Sequence, residues 1–241
     1  MQTSPYSPTA TVGAIVAAQP LLAAVFERVG IDYCCGGKKT LAAACAARNL
    51  DPVTFAVVLE AAASLATTRP VVDAAALSLT ALADHIEASH HAYLKAELPS
   101  LVEKAQRVAA KHGGRDARFS AIETTTLELA QEMLHHMEKE ERILFPLIRA
   151  LERGRAAGAA CGAIANPIEQ MEREHADAGN ALVRLRELTD GFVPDADACN
   201  THRALFAGLA RLETDLHEHV HKENNILFPR AIALDSHAAA R

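Results

Sequence analysis

His136-Met137-Glu138-Lys139-Glu140-Glu141-Arg142-Ile143-Leu144-Phe145-Pro146 is answered 83 residues later by His219-Val220-His221-Lys222-Glu223-Asn224-Asn225-Ile226-Leu227-Phe228-Pro229. Six positions, His-x-x-x-Glu-x-x-Ile-Leu-Phe-Pro, recur at identical spacing. Solenoid repeats recur at shorter periods and more than twice, so two copies this far apart predict a bundle built from two related helix pairs. Residues at i and i+4 sit one turn apart on one helix face, so each copy aims an imidazole and a carboxylate at one point. The Ile-Leu-Phe triplets then read as core, with Pro146 and Pro229 bending the helix behind that point.

The partner helices repeat as well: His91 lies 45 residues before His136, and His175 lies 44 before His219. A lone histidine on a helix is more often a surface or core residue than a ligand, and one His-x-x-x-Glu spacing is cheap. The matched set is what points to chemistry. His91, His136, Glu140, His175, His219 and Glu223 converging in a bundle core make a ligand set for two divalent ions. The two glutamates bridge them, and imidazole and carboxylate without thiolate favour iron or manganese over zinc. Glu132 and Asp215, one turn before His136 and His219, are candidates for a carboxylate that fixes a histidine tautomer or lines a channel. His90 competes with its neighbour His91, which the near-equal offsets favour. His135 competes with His136 but has Lys139 four residues on. His217 and His221, about 200° round from His219, read as facing away; were they turned inward, a two-histidine, zinc-like site would be the rival.

Around this core the helix signals are legible. Helical patterns run over residues 79–112, 117–152, 167–188 and 197–232, with stops at Gly113-Gly114, Gly154 and Gly158, and Gly191 with Pro194, and a start at Asn166-Pro167. Short connections favour antiparallel neighbours, hence an all-α, up-down-up-down four-helix bundle over residues 78–235. Residues 69–77 read as a linker. Residues 1–68 read as a small helical domain: an apolar stretch near 12–18, a helix opened by Pro20 and closed by Gly30, and two further helices capped by Thr40 and by Asp51-Pro52. Between them lies Asp32-Tyr33-Cys34-Cys35-Gly36-Gly37-Lys38. Adjacent cysteines close only a strained disulfide, while Lys38 and Lys39 beside them favour thiolates, so Cys34 and Cys35 read as a redox or transfer pair.

Composition excludes several classes. The formal charge is -6, from 24 basic and 30 acidic residues, and no Lys/Arg stripe marks a nucleic-acid surface. No segment reaches the length of a membrane span, and the N-terminus lacks the basic region of a secretion signal, so a soluble cytoplasmic protein is expected. Five cysteines without a Cys-x-x-Cys pair form neither a disulfide framework nor a zinc-thiolate site; Cys45, Cys161 and Cys199 read as packing or surface residues. Twelve histidines are the anomaly.

The Cys34-Cys35 loop followed by the two His-x-x-x-Glu blocks resembles the RIC family, repair of iron centres, of the ScdA/YtfE type, over nearly the whole chain. The resemblance implies a small N-terminal domain with the double-cysteine motif and a hemerythrin-like bundle. In it His91, His136, His175 and His219 with bridging Glu140 and Glu223 hold two non-haem iron ions, oxo-bridged when oxidised. It also implies a role in the stress response: restoring iron-sulfur clusters damaged by nitric oxide or peroxide, by donating iron to damaged iron-sulfur proteins. Reduction of nitric oxide to nitrous oxide is the alternative enzymatic activity, and an O2- or NO-binding sensor or carrier a third reading. A homodimer is the family's expectation.

Overall fold

The computed structural model describes residues 5–65, 72–154 and 164–239; residues 69–71 of the expected linker, Gly158 and Cys161 lie outside the described residues. The fold is all-α, and among the described residues the β-type pairing is one isolated bridge between Thr11 and Thr40. No described helix is long and apolar enough to cross a membrane.

The N-terminal module holds α1 (Val12–Ala18), α2 (Ala23–Arg28), α3 (Leu41–Ala46) and α4 (Pro52–Leu65). Its punctuation is that of the sequence. Thr40 caps α3 by accepting the amide of Ala43, Asp51 accepts the amide of Thr54 behind Pro52, and Gly30 ends α2 at a φ of 68°. Its core gathers Val12, Ile15, Phe26, Tyr33, Leu41, Phe55 and Leu59.

The first bundle helix is α5 (Leu79–Ile86), continuing through a π-helical turn (Glu87–His91) into α6 (Ala92–His112). The second is α7 (Arg118–Lys139), a π turn (Glu140–Leu144) and α8 (Phe145–Glu152). The third, α9 (Ala165–Leu188), is unbroken. The fourth is α10 (Asn200–Lys222), a π turn (Glu223–Leu227) and α11 (Phe228–Ala239). Helix α6 packs on α7 and α10, and α9 on α7 and α10, which closes the ring of four.

Apolar residues on either side of the histidines form separate cores. Leu94, Leu98, Met133, Leu182, Leu209 and Leu216 pack at one end, and Leu82, Ile86, Ile148, Met171, Leu227 and Phe228 at the other. Because neighbouring helices run antiparallel, the intervening positions His91, His136, His175 and His219 fall in one layer between the two cores. One residue of the triplets departs from the core reading: Ile226 is buried, but Ile143 is 55% exposed. The N-terminal module explains this, since Val16, Ala17 and Ile226 border one cleft, whereas among the described residues Ile143 has no such cover.

The expected bends behind the site are the π turns. Phe145 gives its amide to the carbonyl of Glu140 and Phe228 to that of Glu223, each five residues back. The next residue is proline, which has no N–H to continue the α ladder. Ala92 bonds Glu87 in the same way with no proline behind it, so proline is not the requirement. What the three turns share is a residue of the histidine-glutamate layer at one end: His91, Glu140 or Glu223. A π turn admits an extra residue and re-aims the side chains beside it.

The bundle is also tied at its ends. Glu152 accepts the amides of Leu79 at 2.7 Å and Thr80 at 2.9 Å, and Ser78 accepts that of Ala81, so the last residue of α8 caps the first turn of α5. Burial raises the Glu152 pKa, but its bonds to Thr80 and Leu79 outweigh this and hold it below its ordinary value. Glu152→Ala is expected to cost about 1 kcal/mol in denaturant unfolding near neutral pH. A group with a depressed folded pKa stabilises above its unfolded pKa and loses that contribution as pH falls through the folded one. The difference between wild type and variant should therefore shrink in acid.

Candidate metal centre

Each histidine of the layer sends Nε2 inward, and its other nitrogen decides how firmly. His91 donates Nδ1–H to Glu141 at 2.8 Å, His136 to Glu174 at 2.8 Å, and His175 to the side-chain oxygen of Asn224 at 2.8 Å. Nδ1 of His219 has no partner. Glu141 is held in turn by Lys95, and Glu174 by Lys139 and Gln170. These anchors were not read from the sequence, although a signal existed: Glu141 and Asn224 occupy the same place in the two repeats, directly after the inner glutamate.

Inside, Oε2 of Glu140 lies 3.3 Å from Nε2 of both His91 and His136, and Glu223 places one oxygen 3.1 Å from His175 and the other 3.1 Å from His219. The six side chains form two groups whose ligand atoms lie within 4.8 Å of one another: His91, Glu140, His219, Glu223, and His136, Glu140, His175, Glu223. Both glutamates belong to both groups; each histidine belongs to one. All six residues are 0–1% exposed.

Two buried carboxylates side by side need compensating positive charge. Here it falls to imidazolium protons. Burial opposes protonation of His136, yet the charge of Glu140, 3.3 Å away, and the hydrogen bond to Glu174 push it up to about 10. Burial likewise opposes, and Glu140 outweighs, at His91; at His219 burial wins and the pKa falls. Burial would raise Glu223, but His219 and His175 hold it well below the carboxylate range. The compensation is incomplete: both oxygens of Glu140, one of Glu223 and Nε2 of His91 lack a hydrogen bond. Four inward imidazole nitrogens and carboxylate oxygens left without partners are a donor set that a pair of divalent cations would complete, displacing the protons as they bind.

His90 is buried beside His91 but turns elsewhere. Its Nδ1 donates to Asp215 at 2.8 Å and its Nε2 lies 2.6 Å from Lys222 Nζ, while burial and Lys222 lower its pKa to about 3. Asp215 thus holds His90, its own pKa raised to about 6 by burial. Glu132 is exposed, and the carboxylate behind His136 is Glu174. His217 and His221 face the N-terminal module: their rings meet that of Tyr33 edge-on, and Nδ1 of His221 lies 3.4 Å from the Tyr33 carbonyl.

The cysteine loop sits against the centre's outer wall. Asp32 accepts the amides of Cys34, Cys35 and Gly36, which folds the loop. The Cys35 thiol donates to the carbonyl of His175 at 3.4 Å, Asn225 donates to the carbonyl of Cys34 at 2.9 Å, and Lys38 pairs with Glu172 at 2.7 Å. The expected thiolate is corrected at Cys34: its hydrogen bond with Cys35, then burial, raise the thiol well above its ordinary pKa, and Lys38 is committed elsewhere. Gly37 and Gly13 admit Asn225, since a Cβ on Gly37 would stand 2.0 Å from its Oδ1 and one on Gly13 2.2 Å. Gly37→Ala is expected to cost about 1–3 kcal/mol through this overlap and to speed alkylation of Cys35, read by mass spectrometry.

Two family models match: a domain of unknown function of the ScdA N-terminal type over residues 8–63, and the hemerythrin HHE cation binding domain over residues 82–231. The iron-sulfur cluster repair protein YtfE of Musicola paradisiaca (strain Ech703) is 38% identical over 224 residues, covering 92% of this chain and 96% of its own. The proteins of the same name from Edwardsiella ictaluri (strain 93-146) and Escherichia coli O157:H7 are 40% and 35% identical over the same shares. The buried histidine-glutamate layer lies within the span matched by the hemerythrin cation binding domain, and the chain belongs to the YtfE family of iron-sulfur cluster repair proteins.

Proposed function

We propose that the chain binds two non-haem iron ions and repairs damaged iron-sulfur clusters by supplying iron. One observation carries the reading: two fully buried glutamates shared between two pairs of inward imidazoles, with unpaired atoms on both carboxylates. His91 and His219 would hold one ion and His136 and His175 the other, with Glu140 and Glu223 common to both. Bound iron supplies Lewis acidity and one-electron chemistry. The chain's residues fix three of the imidazoles through Glu141, Glu174 and Asn224, exclude water with the two apolar cores, and would offer each ion four side chains.

Cys34 and Cys35 fit a transfer role by position, because Cys35 touches the backbone of His175. The described cysteines, Cys34, Cys35, Cys45 and Cys199, are free thiols, which suits a reducing cytoplasm. The test is reconstitution of an apo iron-sulfur enzyme by the iron-loaded protein under anaerobic, reducing conditions. Recovery of activity that tracks iron lost from the donor supports the reading; no transfer overturns it.

The even division of histidines favours one second reading, since two histidines per ion leave coordination open for small ligands. Reduction of nitric oxide there predicts nitrous oxide release with a supplied electron donor. Stoichiometric nitrosylation without gas would count against it.

A further inference from the structure

The repeat offset pairs the halves of the centre residue by residue. His91 matches His175, His136 matches His219, Glu140 matches Glu223, and Glu141 matches Asn224. It also pairs Lys139 with Lys222 and, in the place before the lone histidine, Glu174 with His90. The contacts keep this symmetry until that last pair. Lys139 binds Glu174, and Lys222 binds its mate His90. Glu174, however, also accepts Nδ1–H of His136, whereas His90 does not anchor His219. The two rings lie parallel, 5.3 Å apart with 1° between their planes, and His90 gives its Nδ1–H to Asp215. Nδ1 of His219 therefore stands unpartnered, while the other three imidazoles are fixed.

The surroundings differ in the same sense. The backbone of His175 is covered by Cys35 of the docked loop. On the other side a cleft of about 570 Å³, lined by His85, Ser89, His90, Glu218 and Lys222 among others, reaches His90 and so comes within one ring of His219. A metal-binding imidazole whose second nitrogen donates to a carboxylate is both better oriented and more basic; losing such a partner typically costs 10–100-fold in metal affinity.

We infer that the two metal positions are unequal, and that the ion held by His91 and His219 leaves first because His90 stands where the other half has the anchoring Glu174. On the iron-donor reading, that ion is the cargo and the His136–His175 ion stays.

The test is anaerobic release of Fe²⁺ from the loaded full-length protein to excess ferrozine, monitored by absorbance. Two phases of one iron each are expected. His90→Glu, which offers His219 a carboxylate with Lys222 beside it, should slow the fast phase about tenfold or more. Glu174→His should quicken the slow phase by a similar factor. A single phase carrying both irons, or an unchanged fast phase in folded His90→Glu, overturns the inference. A second measurement needs no variant. Wild type stripped of one equivalent and refilled with one equivalent of ⁵⁷Fe should give one Mössbauer quadrupole doublet, and two equal doublets overturn it. Biphasic release without reconstitution of an apo cluster enzyme would sink the donor reading alone and leave unequal positions standing.

Discussion

Glu223→Ala protein, loaded anaerobically and desalted, is expected to retain about one iron per chain or fewer where wild type retains two. The reason is its place in both groups. One carboxylate oxygen faces His219 and the other His175, each at 3.1 Å, so the substitution strips a ligand from both positions at once. The vacated space lies between cores of leucine, methionine and phenylalanine, and the other acidic side chain of the two groups, Glu140, is already common to both. Glu223→Gln separates charge from shape: it preserves volume and one acceptor but cannot neutralise two cations, so it should retain less iron than wild type and more than the alanine form. Glu218→Ala, on the exposed side of the same helix, should keep both irons. Metal analysis decides the matter. Two tightly held irons in the alanine variant would mean that Glu223 does not bridge.

The convergence of the histidine-glutamate layer was legible because it is periodic. His136 with Glu140 and His219 with Glu223 announce one helix face each, and the 45- and 44-residue offsets carry His91 and His175 with them. The features that escaped reading lie where helix backbone departs from the α period. Three π turns shift the register next to His91, Glu140 and Glu223, so a face drawn at about 100° per residue misplaces the side chains beyond each turn. This is why Glu141 and Asn224 swing back to anchor histidines on the preceding helices, while Glu132, on regular α-helix, stays at the surface. Glu174 and His90 escaped for another reason: their significance lies in being a mismatched pair, visible only once each one's contacts are known. The reading of Cys34 as a thiolate weighed nearby lysines in sequence, but the fold buries the sulfur and sends Lys38 to Glu172.

Phe228→Ala is expected to destabilise the protein by about 3–5 kcal/mol, a large share of the 5–15 kcal/mol typical of a native domain. Phe228 is wholly buried, and three features meet on it. Its amide closes the π turn on the carbonyl of Glu223, its ring belongs to the core below the centre, and that ring lies parallel to the imidazole of His175, 6.0 Å away at 2°. Phe145 repeats the arrangement on His91, at 5.6 Å and 15°. A cavity there removes both packing and the wall that holds His175 on its axis. Phe228→Leu refills most of the volume and should cost less, leaving the loss of the ring stack as the remainder. Ile143→Ala is the control from the same repeat: that side chain is exposed, so its change should stay within about 0.5 kcal/mol. Denaturant unfolding with and without iron separates the two roles of Phe228. A ligand that binds only the folded chain stabilises it in proportion to the logarithm of its affinity. Iron should therefore stabilise Phe228→Ala less than wild type, and an equal gain from iron would assign the phenylalanine to packing alone.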